Sequence, residues 1–119
     1  EKDCEFAEAS PGMIGLELVV PVLWGLVTSG KLPLARLVDA LTRAPARIAA
    51  IDAPALREGI RAEICVIDTE RTFTVRREEL RTKSLNTPFL GKTFTGAVAL
   101  TLAAGRIVHD AGLGAPEKL

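Results

Sequence analysis

Hydrophobic residues crowd one stretch of this chain more than any other. Positions 15–27 read Gly-Leu-Glu-Leu-Val-Val-Pro-Val-Leu-Trp-Gly-Leu-Val, with Glu17 the only charge. Wound as a helix, such a run points apolar side chains in nearly every direction, whereas a surface helix keeps a polar face. The pattern predicts a core helix that needs cover on most sides. Pro21 fits its first turn or bends it, and Gly30 is a natural stop. A membrane span needs about 20 apolar residues, and Glu17 and Lys31 cut this run short.

The period then changes. Leu34, Leu37, Val38 and Leu41 share one face of an amphipathic second helix that starts at Pro33, with Lys31, Arg36 and Asp39 toward water. Pro45 forces a restart, and Thr42 is placed to cap a short third helix through 46–49. From Asp52 the apolar runs shorten. Positions 63–68 predict a strand covered on both faces, with Glu63 and Asp68 finishing its hydrogen bonding, and 72–75 a shorter strand. Positions 76–83 read as an exposed charged turn with Leu80 tucked in, and 86–91 as an irregular connector. Segments 94–102 and 106–109 pair as a hairpin through Ala103-Ala104-Gly105, with Gly96 marking a bulge or a close backbone contact. Residues 1–9 are acidic and helix-tolerant, with Phe6 and Ala7 as anchors. Ser10-Pro11-Gly12 is a break, and the tail 111–119 frays. Helices first and strands last, without alternation, point to two different layers.

Composition narrows the class. The chain has 119 residues, is 48% hydrophobic, and balances 15 Lys and Arg against 15 Asp and Glu. These values suit one ordered soluble domain with a modest core. They exclude a nucleic-acid binder that works by bulk charge, and a single Trp, no Tyr and four scattered Phe provide no stacking platform for bases. The sequence begins without methionine, signal segment or transit-peptide composition, so it reads as a chain entered in its middle, with a cytoplasmic setting as the default. Neither nucleic acid nor membrane is an expected partner.

The side chains allow little chemistry of their own. Cys4 and Cys65 have no metal-binding spacing; a disulfide between them stays open, and Cys65 reads as a small buried thiol. His109 is the sole histidine, too few for a self-contained zinc site, and reads as a surface residue at the end of the hairpin. Ser10, Ser29 and Ser84 sit in no nucleophile elbow, and the glycines at 12 and 15 lack the strand and the Lys-Ser/Thr of a phosphate loop. The carboxylates near the start read as a solvated face. Glu17, at the start of the apolar helix, has a structural use against the helix N–H groups. Arg43 and Arg47 flank Pro45 and suit either an anion or a neighbouring carboxylate, the second being the commoner arrangement. The Pro-Gly break at Pro11 and Gly12 is either a plain turn or a loop that offers backbone groups to a ligand.

Several separated pieces are familiar in combination. Ser10-Pro11-Gly12-Met13-Ile14-Gly15-Leu16-Glu17, Leu41-Thr42-Arg43-Ala44-Pro45-Ala46-Arg47-Ile48, positions 59–68, Asn86-Thr87-Pro88-Phe89-Leu90-Gly91, Gly96 and Gly105-Arg106-Ile107-Val108 together resemble the C-terminal third of dihydroorotase of the bacterial, allantoinase-like type, in the amidohydrolase superfamily. The resemblance implies an α/β architecture, a metal-dependent TIM-like (β/α) barrel followed by part of a small β-sandwich. Residues 1–58 would end the barrel domain, 59–110 would form the C-terminal half of the sandwich, and 111–119 would be a flexible tail. It implies reversible cyclisation of N-carbamoyl-L-aspartate to L-dihydroorotate in pyrimidine biosynthesis, with one or two zinc ions and every catalytic group held by residues before Glu1. This chain would supply substrate contacts from Pro11 and Gly12 and structural support from Glu17, Arg47 and Asn86. Many members read Pro-Phe-Gly where this chain has Ser10-Pro11-Gly12, which keeps the backbone contact and removes an aromatic wall. The implied partners are the small-molecule substrate, the N-terminal portion of the enzyme, possible as a separate chain, and either a second copy or aspartate transcarbamoylase. Hydantoinase, dihydropyrimidinase and allantoinase share the implied fold, and a non-catalytic dihydroorotase-like scaffold subunit is a further alternative.

Overall fold

The computed structural model describes residues 4, 5, 7, 8, 12–53 and 55–112. Three helices precede a three-stranded antiparallel sheet of order β1-β2-β3. A 3-10 turn at Leu16–Leu18 leads directly into α1, Val19–Thr28, followed by α2, Leu34–Leu41, and α3, Arg43–Ala49. Pro21 lies in the first turn of α1, where no intrahelical partner for its missing N–H is required. Gly30, at φ +72°, ends the helix, and its N–H bonds the carbonyl of Val27.

Thr42 does not cap α3. Its hydroxyl instead donates to the carbonyl of Val38 at 2.6 Å, closing the end of α2. Asp39, expected to face water, is half-buried because Arg36 and Arg47 both reach it.

The two expected strands at 63–68 and 72–75 are one strand, β1, Ile64–Thr74. An irregularity between Asp68 and Thr72 interrupts its pairing with β2, Thr93–Ala103, without ending it. The Asp68 carboxylate accepts the N–H groups of Glu70 and Arg71 at 3.0 Å each, so the extra residues fold tightly and the strand resumes. Strand β3, Arg106–Asp110, returns through Ala104 and Gly105, both at positive φ, the geometry that a two-residue hairpin needs to match strand twist. Glu63 holds this turn by accepting the N–H of Ala104 at 3.0 Å.

Cover on both faces of β1 is not found among the described residues, and the sequence reading of Cys65 is corrected: it is exposed, while Ile64, Val66 and Ile67 are half-buried. Side chains alternate across a strand, and only one face here meets a helix. No disulfide joins Cys65 to Cys4. His109 is half-buried, its Nε2 lying 3.3 Å from the carbonyl of Val98, so it is not the surface residue expected.

Helix α1 lies against β2. A Cβ placed on Gly96 would fall 2.3 Å from Trp24 Cδ1, so the indole rests directly on the β2 backbone. Ala99, on the same strand, is 1% exposed. Beyond this seat, Phe94 packs near Phe73 and edge-on to Phe89, with ring centroids 6.2 and 5.7 Å apart. The rest of α1 and its approach is not enclosed by described residues: Leu16 is 90% exposed. No helix among the described residues is long and apolar enough to cross a membrane.

Gly96 generates a stability prediction. Gly96→Ala has both a φ of +89° and the Trp24 ring against it, and should destabilise the protein by about 1–3 kcal/mol. Gly91→Ala, at φ +75° with open space around it, should lose about 1 kcal/mol from backbone strain alone. Denaturation midpoints of the two variants separate the ring contact from the strain.

Candidate functional site

Pro11 lies outside the described residues, and Gly12 is the first residue of a continuous described segment that runs into the 3-10 turn. The segment following Gly12 is held from a distant part of the chain. Asn86 grips it twice: its Nδ2 donates to the carbonyl of Gly12, and its own carbonyl accepts the N–H of Ile14 at 2.9 Å. A carbonyl can only accept, so the Asn86 amide must present its nitrogen to Gly12. The N–H of Asn86 is in turn bonded to Ser84 Oγ at 3.2 Å.

Glu17 makes the second attachment. Its two carboxylate oxygens accept the N–H groups of Arg81 and Thr82 at 3.0 and 2.9 Å. The residue stands in the first turn of its 3-10 helix, yet the N–H groups it satisfies belong to the segment after Glu79 and not to the helix. Sequence reading found the carboxylate and missed the partners, because backbone donors carry no side-chain signature. A cleft of about 610 Å³ opens between the two segments, with Met13, Ile14 and Leu16 on one side and Leu80, Arg81 and Thr82 on the other.

Arg47 stands apart from this cluster. It reaches Asp39 at 3.5 Å and ties α3 to α2, sharing the carboxylate with Arg36 at 3.2 Å. The pair on one carboxylate is therefore Arg36 with Arg47, where the sequence suggested Arg43 with Arg47. Both guanidinium groups are largely exposed, so the contact adds little stability.

The chemistry open to this arrangement is binding. Asn86 takes one lone pair of the Gly12 carbonyl, and the backbone N–H of Gly12 is a donor suited to a carbonyl or carboxylate oxygen. No group of three or more His, Cys, Asp or Glu among the described residues is arranged to hold a metal ion.

Comparison with known proteins gives this loop a context. No protein-family model matches the chain. It is 41% identical over 112 residues to a dihydroorotase of Anaeromyxobacter dehalogenans, covering 94% of this chain and 26% of that protein. The chain is related to the dihydroorotases. The dihydroorotase of Geobacter metallireducens is 44% identical over 109 residues, again with 26% of its length covered. The chain therefore spans about a quarter of the length of the curated dihydroorotases it matches. Among solved structures, the L-hydantoinase (dihydropyrimidinase) from Arthrobacter aurescens superposes with a TM-score of 0.76 at 30% identity, over 86% of this chain and 23% of that one. Both comparisons are thus with part of a longer protein, one named dihydroorotase and the other L-hydantoinase. A match of 112 residues in a chain of 119 takes in both the Gly12 loop and the Asn86 connector.

The Glu17 attachment can be tested by stability. Glu17→Ala removes two hydrogen bonds to a carboxylate and should destabilise by about 1–2 kcal/mol, with Glu17→Gln near half of that because one acceptor remains. Unfolding midpoints that leave both variants at the wild-type value would contradict the assignment.

Proposed function

We propose that this chain is the C-terminal portion of a dihydroorotase, an enzyme that interconverts L-dihydroorotate and N-carbamoyl-L-aspartate by opening and closing a cyclic amide. The observation that carries the proposal is the similarity to dihydroorotases through 94% of the chain, loop and connector included. In this reading the apolar helix α1 is the outer helix after the last barrel strand, and β1 to β3 are part of the appended sandwich. The large apolar side chains of Leu16, Met13 and Ile48, each mostly exposed, support it, since further polypeptide would cover them.

The part assigned to this chain is substrate binding and orientation. Pro11 has no N–H to give, so the Pro-Gly pair presents one donor, the Gly12 N–H, next to a position without a Cβ where a flat ring can approach closely. A loop fixed at both ends holds that donor in place before substrate arrives, which lowers the ordering cost of binding. The metal ions and the groups that move protons are assigned to the remainder of the enzyme, and so is the cytoplasmic setting that pyrimidine synthesis implies. The structural likeness to L-hydantoinase supports a second reading, a cyclic amidohydrolase acting on a ring without the carboxylate of dihydroorotate.

The two readings part on substrate choice. The complete enzyme carrying this chain should hydrolyse L-dihydroorotate with kcat/KM roughly 100-fold or more above that for hydantoin, since a site built for the carboxylate leaves polar groups unpaired when it is absent. The reverse preference would select the hydantoinase reading, and inactivity on both rings would overturn the proposal. The chain by itself should be inactive and should recover activity only with the remaining polypeptide.

A further inference from the structure

We propose that Asn86 is a positioning residue for the substrate loop: its side-chain amide and main-chain carbonyl, not the loop's own conformational preference, hold the segment 12–14 that carries the Gly12 N–H. The inference rests on the binding role assigned to Gly12 above and extends it to a residue 74 positions away in sequence.

The geometry is specific. A loop containing Gly12 and Gly15 has wide backbone freedom, and no Cβ contact within 4 Å limits either glycine. What restrains it is external. Asn86 takes the carbonyl of Gly12 with its side chain and the N–H of Ile14 with its main chain, so three consecutive residues are spanned by one amino acid acting as both donor and acceptor. Two soft dihedrals separate the Gly12 N–H from its carbonyl, so the bond from Asn86 fixes where the Gly12–Met13 peptide sits and anchors the Cα from which the N–H projects. Asn86 is itself oriented through a short relay, Thr82 Oγ1 to the Ser84 N–H and Ser84 Oγ to the Asn86 N–H, and Thr82 is the residue whose N–H Glu17 holds. The two attachments are thus ends of one brace. Aspartate in place of Asn86 keeps the size and the main-chain bond and replaces the donor to Gly12 by a carboxylate oxygen that repels the carbonyl. Glutamine keeps the donor on a longer arm.

The test uses the complete enzyme. Asn86→Ala and Asn86→Asp should each raise KM for dihydroorotate about tenfold and change kcat less than about threefold, the pattern of a lost contact that binds substrate and transition state alike. Asn86→Gln should recover part of the loss. Asp68→Ala, which loosens a turn of the sheet, should lower the thermal midpoint while KM stays at the wild-type value. Amide hydrogen exchange provides a readout without activity: exchange at Ile14 should speed by about tenfold or more in Asn86→Ala. Unchanged KM, or unchanged exchange at Ile14, would overturn the assignment. Faster exchange in an enzyme whose wild type opens no cyclic amide would instead overturn the functional reading, and with it the role toward substrate.

Discussion

The seat of Trp24 on Gly96 joins two otherwise separate layers. Helices and strands bury themselves by different periodicities, and here α1 meets β2 most closely where one aromatic ring is laid on bare backbone. Any side chain on Gly96 would lift the helix from the strand, and φ +89° bends β2 where the ring needs room. The 3-10 turn at Leu16–Leu18 runs directly into α1, so the position of that seat determines where Glu17 and the loop before it can go. The buried Leu18 and Pro21 keep the start of the helix from turning about its axis.

The brace between the loop and the segment 81–86 then takes over. A glycine-rich loop held at one end by a helix would sample many directions, and ordering it on binding would weaken affinity. Glu17 and Asn86 remove that freedom at two points through backbone partners, which gives the arrangement tolerance to the identity of Arg81 and Ile14 while depending on the carboxylate and the carboxamide. Chemistry-bearing side chains are few in this chain, yet the groups that shape the site are ordinary structural ones.

Much of the architecture is legible in the sequence because it rests on local physics. The apolar run at 15–27, Pro33 before Leu34, Gly30 after Thr28 and the Ala104-Gly105 turn each act within a few residues, and the three helices and the final hairpin are where these signals place them. Gly96 was legible as a special position, though its partner was not. Failures gather where a residue's partner is remote. Cys65 reads as buried because its neighbours Ile64 and Val66 are apolar, but alternation turns its side chain to the other face. The break at 69–71 reads as a strand end because nothing local shows that Asp68 will satisfy two N–H groups and let pairing resume. For the site, Glu17 and Asn86 could be named and their connection could not, since the groups they bind are main-chain atoms 64 and 74 residues away.

The same distance dependence bears on the apolar surface that these residues leave open. Among the described residues the buried hydrophobic side chains besides Pro21 are Leu18, Leu37, Ala46, Val75 and Ala99, a small core for a sequence that is 48% hydrophobic. The radius of gyration is 17.1 Å, against about 13–14 Å for a compact domain of this length. Apolar surface left over on such a scale is surface that folding of these residues alone does not bury. Cover supplied by further polypeptide would act on Leu16 and Met13, the exposed neighbours of the braced loop, so burial of the helix and confinement of the loop would occur together. The geometry of this segment is then a consequence of packing, and a change that loosens the helix from its surroundings reaches Gly12 by the same route as a change at Asn86.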